Sequence, residues 1–256
     1  MTMFHRLHLG PKTFAPALAG ALWLLGCAAA SPAPDSPAPN APSVQAQQQH
    51  GHHHGPGEHH GSGPLVHRFD HAEEWAKQFD DPARDAWQKP QDVVNAMALR
   101  PGMVVADLGA GTGYFEPWLS RAVGDTGVVL ALDVETDMVR YLKERAARER
   151  LGNVRPAQVP MDDPALPAAG VDRVLIVDTW HHIPGRVAYA QKLRAGLKPG
   201  GQVFIVDFKA EAPHGPPPKH RLTPEQVMQE LTAGGLMAKV SATSLPDQYI
   251  VEGTRP

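Results

Sequence analysis

Val104-Val105-Ala106-Asp107-Leu108-Gly109-Ala110-Gly111-Thr112-Gly113-Tyr114-Phe115 is the stretch that decides how this chain is read. A short apolar run leads straight into three glycines at alternate positions. The run predicts a buried strand, the glycines a tight turn, and the residues beyond them a helix. Glycine tolerates positive φ and carries no Cβ to hold a ligand away from the backbone. In an open parallel α/β sheet, the first such strand–helix turn lies at the carboxyl edge, where nucleotide-like ligands bind.

The spacing narrows the choice of ligand. A dinucleotide fingerprint would place its third glycine at 114, which is Tyr114; here it is Gly113, with Asp107 two residues ahead of Gly109. That departure ranks an NAD-linked oxidoreductase low. A second apolar run, Val128-Val129-Leu130-Ala131-Leu132-Asp133, ends in a carboxylate able to accept both hydroxyls of a ribose. The pairing resembles the class I S-adenosylmethionine (SAM)-dependent methyltransferases. The resemblance implies that the turn accommodates the amino-acid part of SAM, with Asp107, Gly109, Gly111, Gly113 and Asp133 as cofactor-binding residues.

Later segments extend the resemblance in order. Asn153-Val154-Arg155 begins a third strand, and Met161-Asp162-Asp163-Pro164-Ala165-Leu166-Pro167 follows it. In this family an acid a few positions before such a Leu-Pro contacts the adenine amino group, which implies Asp162, with Asp163 as the alternative. Val171–Val177, closed by Asp178, reads as strand four, and Leu197-Lys198-Pro199-Gly200-Gly201 as the turn into strand five. The expected fold is α/β, doubly wound, with a seven-stranded, mostly parallel sheet. Residues 237–245 and 248–254 form its C-terminal antiparallel strand pair.

The chain has 256 residues and a formal net charge of −3. No face is dense in Lys and Arg, which argues against a nucleic-acid substrate held through its phosphates. A single cysteine, Cys27, excludes an internal disulfide. Residues 1–27 read as a lipoprotein-type signal peptide: Arg6 and Lys12 precede an apolar run over 14–26. That run is too short to span a bilayer comfortably but fits a secretory h-region. It ends in Leu24-Leu25-Gly26-Cys27-Ala28, which resembles a bacterial lipoprotein processing site and implies a lipid anchor on Cys27. The plainer alternatives are an ordinary buried cysteine or a start codon placed too far upstream.

Residues 28–64 are rich in Pro, Ala and Gln, then in His, and predict a disordered tether. The whole describes an exported protein, anchored by lipid to a bacterial membrane and facing the periplasm. The outer membrane is favoured, because Ala28 carries no evident retention signal. Export would require SAM outside the cytoplasm where it is made. His50, His52, His53, His54, His59 and His60 can bind Zn or Ni weakly, without fixed geometry, or form a solvated linker. The rival function is therefore a non-catalytic SAM-fold lipoprotein that captures a ligand or metal ions.

Residues 65–100 read as a helical lead-in and lid, and 101–256 as the SAM-binding domain. Asp81 suits an N-cap before Pro82, and a further helix is expected over 91–99. Trp87 and Arg84 are assigned to a lid over the cofactor mouth, whereas Phe79 is expected to cap the sheet edge. Methyl transfer needs in-line alignment and exclusion of water, so acceptor-side groups should come from loops at strand ends. After strand four, Asp178-Thr179-Trp180-His181-His182 offers a general base in His181 or His182, a carboxylate in Asp178, and an indole to stack on a flat acceptor or on adenine. Structural roles for these histidines stay open. Residues 207–221, with His214, His220 and Arg221, suit a carboxylate-bearing acceptor or form a solvated loop. The expected partner is a small-molecule methyl acceptor.

Overall fold

The computed structural model describes Phe69 and residues 71–256. The expected signal peptide, Cys27, the tether and the histidine tract lie outside the described residues. Among the described residues no helix is long and apolar enough to cross a membrane. No group of three or more His, Cys, Asp or Glu among them is placed to hold a metal ion.

Strands β1 (Val104–Leu108), β2 (Val128–Asp133), β3 (Val154–Gln158), β4 (Val171–Val177), β5 (Leu197–Phe208), β6 (Met237–Ser241) and β7 (Gln248–Thr254) build one seven-stranded sheet. Its order is β3-β2-β1-β4-β5-β7-β6. The first five strands run parallel, and β7 pairs antiparallel with both β5 and β6. The expected sheet is thus present, with β6 ending at Ser241 and short of 245. Successive strands are added on one side of β1 as far as β3 and then, from β4, on the other, which puts the switch point of the strand order at the carboxyl end of β1.

Alternation along the strands supplies two cores. Val174 and Ile176 of β4 join Ala106, Leu108, Val203, Ile205 and Val251 on one face. Leu175 and Val177 join Val105, Val129, Phe204 and Ile250 on the other. Helices α6 (Arg186–Gly196) and α7 (Pro224–Ala233) cover the first face through Tyr189, Leu193, Val227 and Leu231. The second face is covered by α3 (Pro90–Ala96), α4 (Glu116–Val123) and α5 (Thr136–Arg148), through Val93, Leu119, Val123 and Leu142. Strands buried on both sides need apolar residues at consecutive positions, which is why β1, β2 and β4 read as near-continuous runs.

The lead-in contains α1 (Ala72–Phe79), a 3₁₀ turn (Pro82–Arg84) and α2 (Asp85–Gln88) ahead of α3. Asp81 caps the 3₁₀ turn, accepting the Ala83 N–H at 2.9 Å. The helix expected over 91–99 stops at Ala96, because Ala98 turns left-handed at φ 47°. At α7, Thr223 and Gln226 form the full reciprocal capping box.

Candidate functional site

The glycine turn is stitched to the end of β2. Gly109 and Ala110 donate their N–H groups to the Leu132 carbonyl at 2.8 and 3.1 Å. Asp133 then accepts the Gly111 N–H on Oδ2 at 2.8 Å and the Glu135 N–H on Oδ1 at 2.9 Å. The carboxylate is therefore fixed by backbone before any ligand arrives, and each oxygen keeps a lone pair for a further donor. All three glycines have positive φ. Their surroundings differ, however. A Cβ on Gly109 would lie 2.4 Å from Thr179 Oγ1, and one on Gly113 would lie 2.8 Å from Leu142 Cδ2, so protein packing requires both glycines. Only at Gly111 would a Cβ meet nothing closer than 3.8 Å, where it faces Phe79. Gly111 is the one of the three whose Cβ position protein packing does not fill, with the Phe79 ring in ordinary contact above it.

Three acids converge under this turn. Burial, and then the charge of Asp133, push the Asp107 carboxyl up to about 7 against the pull of Arg84. Asp133 is also raised, by burial, with the Glu135 and Gly111 N–H groups opposing the rise. Glu116, at the first turn of α4, is buried and neither of its oxygens has a hydrogen-bond partner. Glu116 was not foreseen from the sequence. The residues present fit the nucleoside and amino-acid ends of SAM: a fixed acid for hydroxyls, an open glycine and a buried acid for a cation. Asp162 is exposed on the loop after β3, 3.9 Å from Lys192 of α6. Asp163 lies 3.3 Å from the same lysine.

The lead-in straps this turn. Asp80 accepts the Thr112 hydroxyl at 2.8 Å and Arg145 Nη1 at 2.9 Å, and Arg145 also donates to the Thr112 carbonyl at 3.0 Å. Tyr114 donates its hydroxyl to Asp85. Phe79 packs beside Gly111 and stacks on Trp75 at 5.4 Å between centroids. This corrects the sequence expectation: Phe79 covers the glycine turn and does not cap the sheet edge. Trp87 instead stacks at 4.9 Å on His214 of the loop after β5.

Arg84 closes a polar ring. Its guanidinium donates to Gln88 Oε1 at 3.0 and 3.2 Å and to the Phe79 carbonyl at 2.8 Å, and lies 4.1 Å from the centroid of Tyr114. Gln88 donates to Gln248 Oε1 at 2.5 Å, Gln248 donates to Asp178 Oδ1 at 2.6 Å, and Asp178 Oδ2 lies 3.8 Å from Arg84. Asp178 is held at φ 52° and pushed up to about 7 by burial, with Arg84 drawing it down.

The loop after β4 divides its expected residues. Trp180 is fully buried, packs at 6.2 Å from Tyr189, and donates its indole N–H to Glu230 at 2.8 Å. It is a core residue, and the expected stacking on acceptor or adenine is corrected. His181 Nδ1 meets Asp207 at 2.9 Å, both side chains being almost wholly buried. The carboxylate orienting this imidazole is thus Asp207, at the end of β5, while Asp178 belongs to the ring with Arg84. Burial works against the charged His181 ring, but the hydrogen bond to Asp207 and its charge outweigh it, so the pKa rises above 6.5. With Nδ1 held, Nε2 is the nitrogen left to take a proton. The His182 ring lies 4.2 Å from that of His181 and 6.3 Å from Phe69.

Arg221 serves its own loop. It donates to the carbonyls of Pro216, Lys209, Ala210, Ala212 and His214, all at 2.8–3.0 Å. A guanidinium so occupied staples residues 209–221 and is not free for an acceptor carboxylate. His214 faces Asp247 at 3.4 Å, and His220 ends a short 3₁₀ turn at the surface side of the same loop. A surface depression of about 410 Å³ beside Arg186 and Glu230 contains none of the expected site residues.

Residues 105–201 match the family described as a methyltransferase domain. The chain is similar to a ubiquinone/menaquinone biosynthesis C-methyltransferase of Shewanella halifaxensis, 29% identical over 116 residues, covering 45% of this chain and 46% of that one. A Shewanella woodyi protein of the same description is 26% identical over 167 residues, 63% of each chain. The chain thus spans about half to two thirds of the length of these curated relatives. Among solved structures, a SAM-dependent methyltransferase from Aquifex aeolicus superposes with a TM-score of 0.68 at 29% identity, covering 72% of this chain and 98% of that one. Residues 105–201 are thus similar to a methyltransferase domain, and the sheet has the fold of a SAM-dependent methyltransferase.

Proposed function

We propose that this protein is a SAM-dependent methyltransferase that transfers a methyl group to a small-molecule acceptor, exported and anchored by lipid at Cys27. The observation that carries the cofactor reading is the Asp133 carboxylate, pinned by Gly111 and Glu135 beside the glycine turn. SAM, when bound, supplies a methyl group already activated by its sulfonium charge. Asp133 would hold the ribose hydroxyls, Gly111 would admit the ligand to the backbone, and Asp107 would face the cationic amino-acid end.

On the acceptor side, His181 is the group suited to take a proton, with Asp207 fixing its tautomer and orientation. The relatives are named for C-methylation in quinone biosynthesis. An acceptor carbon that loses a proton on methylation would use such a base. The Arg84–Gln88–Gln248–Asp178 ring would keep water from the reacting atoms and hold the lead-in down.

Calorimetric titration with SAM, NAD and Zn separates the candidate functions. SAM binding that is lost in Gly111→Val supports the methyltransferase reading, because that variant places a branched Cβ at φ 56° in the one open position of the turn. Binding of NAD, or of Zn alone, would replace it with the oxidoreductase or the metal-capturing lipoprotein. Labelled fatty acid incorporated by wild type but not by Cys27→Ser tests the anchor. Deleting residues 50–60 should remove Zn or Ni retention and leave SAM affinity unchanged.

A further inference from the structure

Glu116 is the buried titratable group that the proposed chemistry does not use. It is 2% exposed, and no donor reaches either oxygen. Its Oε2 would lie only 3.2 Å from a Cβ on Gly113, so the carboxyl sits against the underside of the glycine turn. A carboxylate there would be a charge without a hydrogen bond, a costly state in a dry interior. A carboxylic acid has one O–H to give. The acceptor facing it is Asp107, 3% exposed on β1; burial, and then the Asp107 charge, push the Glu116 carboxyl well up.

The charges facing this pair come from every neighbouring element. Asp133 on β2 adds negative charge to Asp107, and Arg84 of the lead-in opposes it. Arg145 on α5 faces Glu116 but spends its hydrogen bonds on Asp80, Thr112 and Glu149. Two adjacent buried acids with Asp133 beside them do not both ionise near neutrality.

We propose that Glu116 is a positioning residue that stays protonated and donates to Asp107, and that SAM binding is thereby coupled to release of a proton from Asp107. The coupling rests on the cofactor reading given above. The balance is simple: the Asp107 carboxylic acid becomes a carboxylate facing the ligand cation, and its proton passes to buffer. Glu116 keeps its own.

The test is calorimetry of SAM binding in buffers of different ionisation enthalpy, from pH 6 to 9. With Asp107 at about 7, about half a proton should be released at pH 7 and almost none at pH 9. Affinity should tighten with pH by up to about tenfold per unit below pH 7. Glu116→Gln, which retains a donor to Asp107, should keep this profile. Glu116→Leu, which fills the space without a donor, should move the release to higher pH and weaken binding at pH 7. Infrared spectra of the ligand-free protein at pH 8 should show a protonated-carboxyl band that Glu116→Gln removes.

SAM binding without proton release between pH 6 and 8 overturns the coupling. An unshifted profile in Glu116→Leu assigns the proton to Asp133 and overturns it equally. Absence of any SAM binding overturns the cofactor reading and the coupling with it, whereas the infrared band judges the neutral Glu116 independently.

Discussion

Replacing Arg84 by Met tests whether the polar ring under the lead-in is held by charge. Methionine keeps most of the apolar stem but removes the donors to Gln88 and Phe79, the contact with Tyr114 and the charge facing Asp178. Two lost hydrogen-bonded partners at about 1 kcal/mol each, and a cation–π contact of about 1 kcal/mol, give a pH-independent loss of about 3 kcal/mol. The charge adds a pH-dependent part. Asp178 is already raised to about 7 by burial, so the folded protein holds its proton above the unfolded value of 3.8. Its contribution to stability is full below that unfolded value and is lost as pH rises through the folded one. Without Arg84 its pKa rises further. The variant gains nothing from this at pH 5, where Asp178 is protonated in both proteins. At pH 8 it loses about 1.4 kcal/mol more than wild type, the cost of one further pH unit. Urea unfolding followed by tryptophan fluorescence and circular dichroism at pH 5 and pH 8 reads both parts. Equal destabilisation at the two pH values, or a larger one at pH 5, would refute the reasoning.

Asp133→Ala leaves the Gly111 and Glu135 N–H groups without their carboxylate; stability should fall by roughly 1–3 kcal/mol, and titration calorimetry should show SAM affinity reduced at least about tenfold. His181→Asn should spare SAM affinity but lower turnover by a factor on the order of 10²–10⁴. Because Asp207 raises the His181 pKa, wild-type turnover should climb with pH through a value above 6.5, and the asparagine variant should lack that limb in a pH–rate profile. Arg221→Gln should speed hydrogen exchange across residues 209–221 while the amides of β4 and β5 stay protected; unchanged exchange would mean that its five carbonyl contacts do not hold the loop.

The parts of the site that were legible in the sequence are those written in consecutive residues. The glycine turn, and Asp133 at the end of an apolar run, each announce themselves within a dozen positions, and the sheet follows from five such runs in order. Asp207 ends the β5 run just as Asp133 ends β2, so the same signal could have named it as the partner of His181. Trp180 reads as an exposed aromatic because it stands in a histidine-rich loop; its indole finds Glu230 fifty residues away, which no local pattern reveals. The ring is more hidden still. Gln88 and Gln248 are separated by 160 positions and are joined only because β7 inserts beside β5. Glu116 carried no signal either, since an acid in the first turn of a helix is ordinary on grounds of the helix dipole alone.

That insertion of β7 also sets an order of events during synthesis. The parallel strands and their helices can pair as they emerge from the ribosome, but Gln248 is the keystone of the ring that fastens α2 to Asp178. Until residues 248–254 have been made and have entered the gap between β5 and β6, the strap has no anchor on that side. The lead-in is therefore fastened to Asp178 only once β7 is in place, after the parallel strands that it covers.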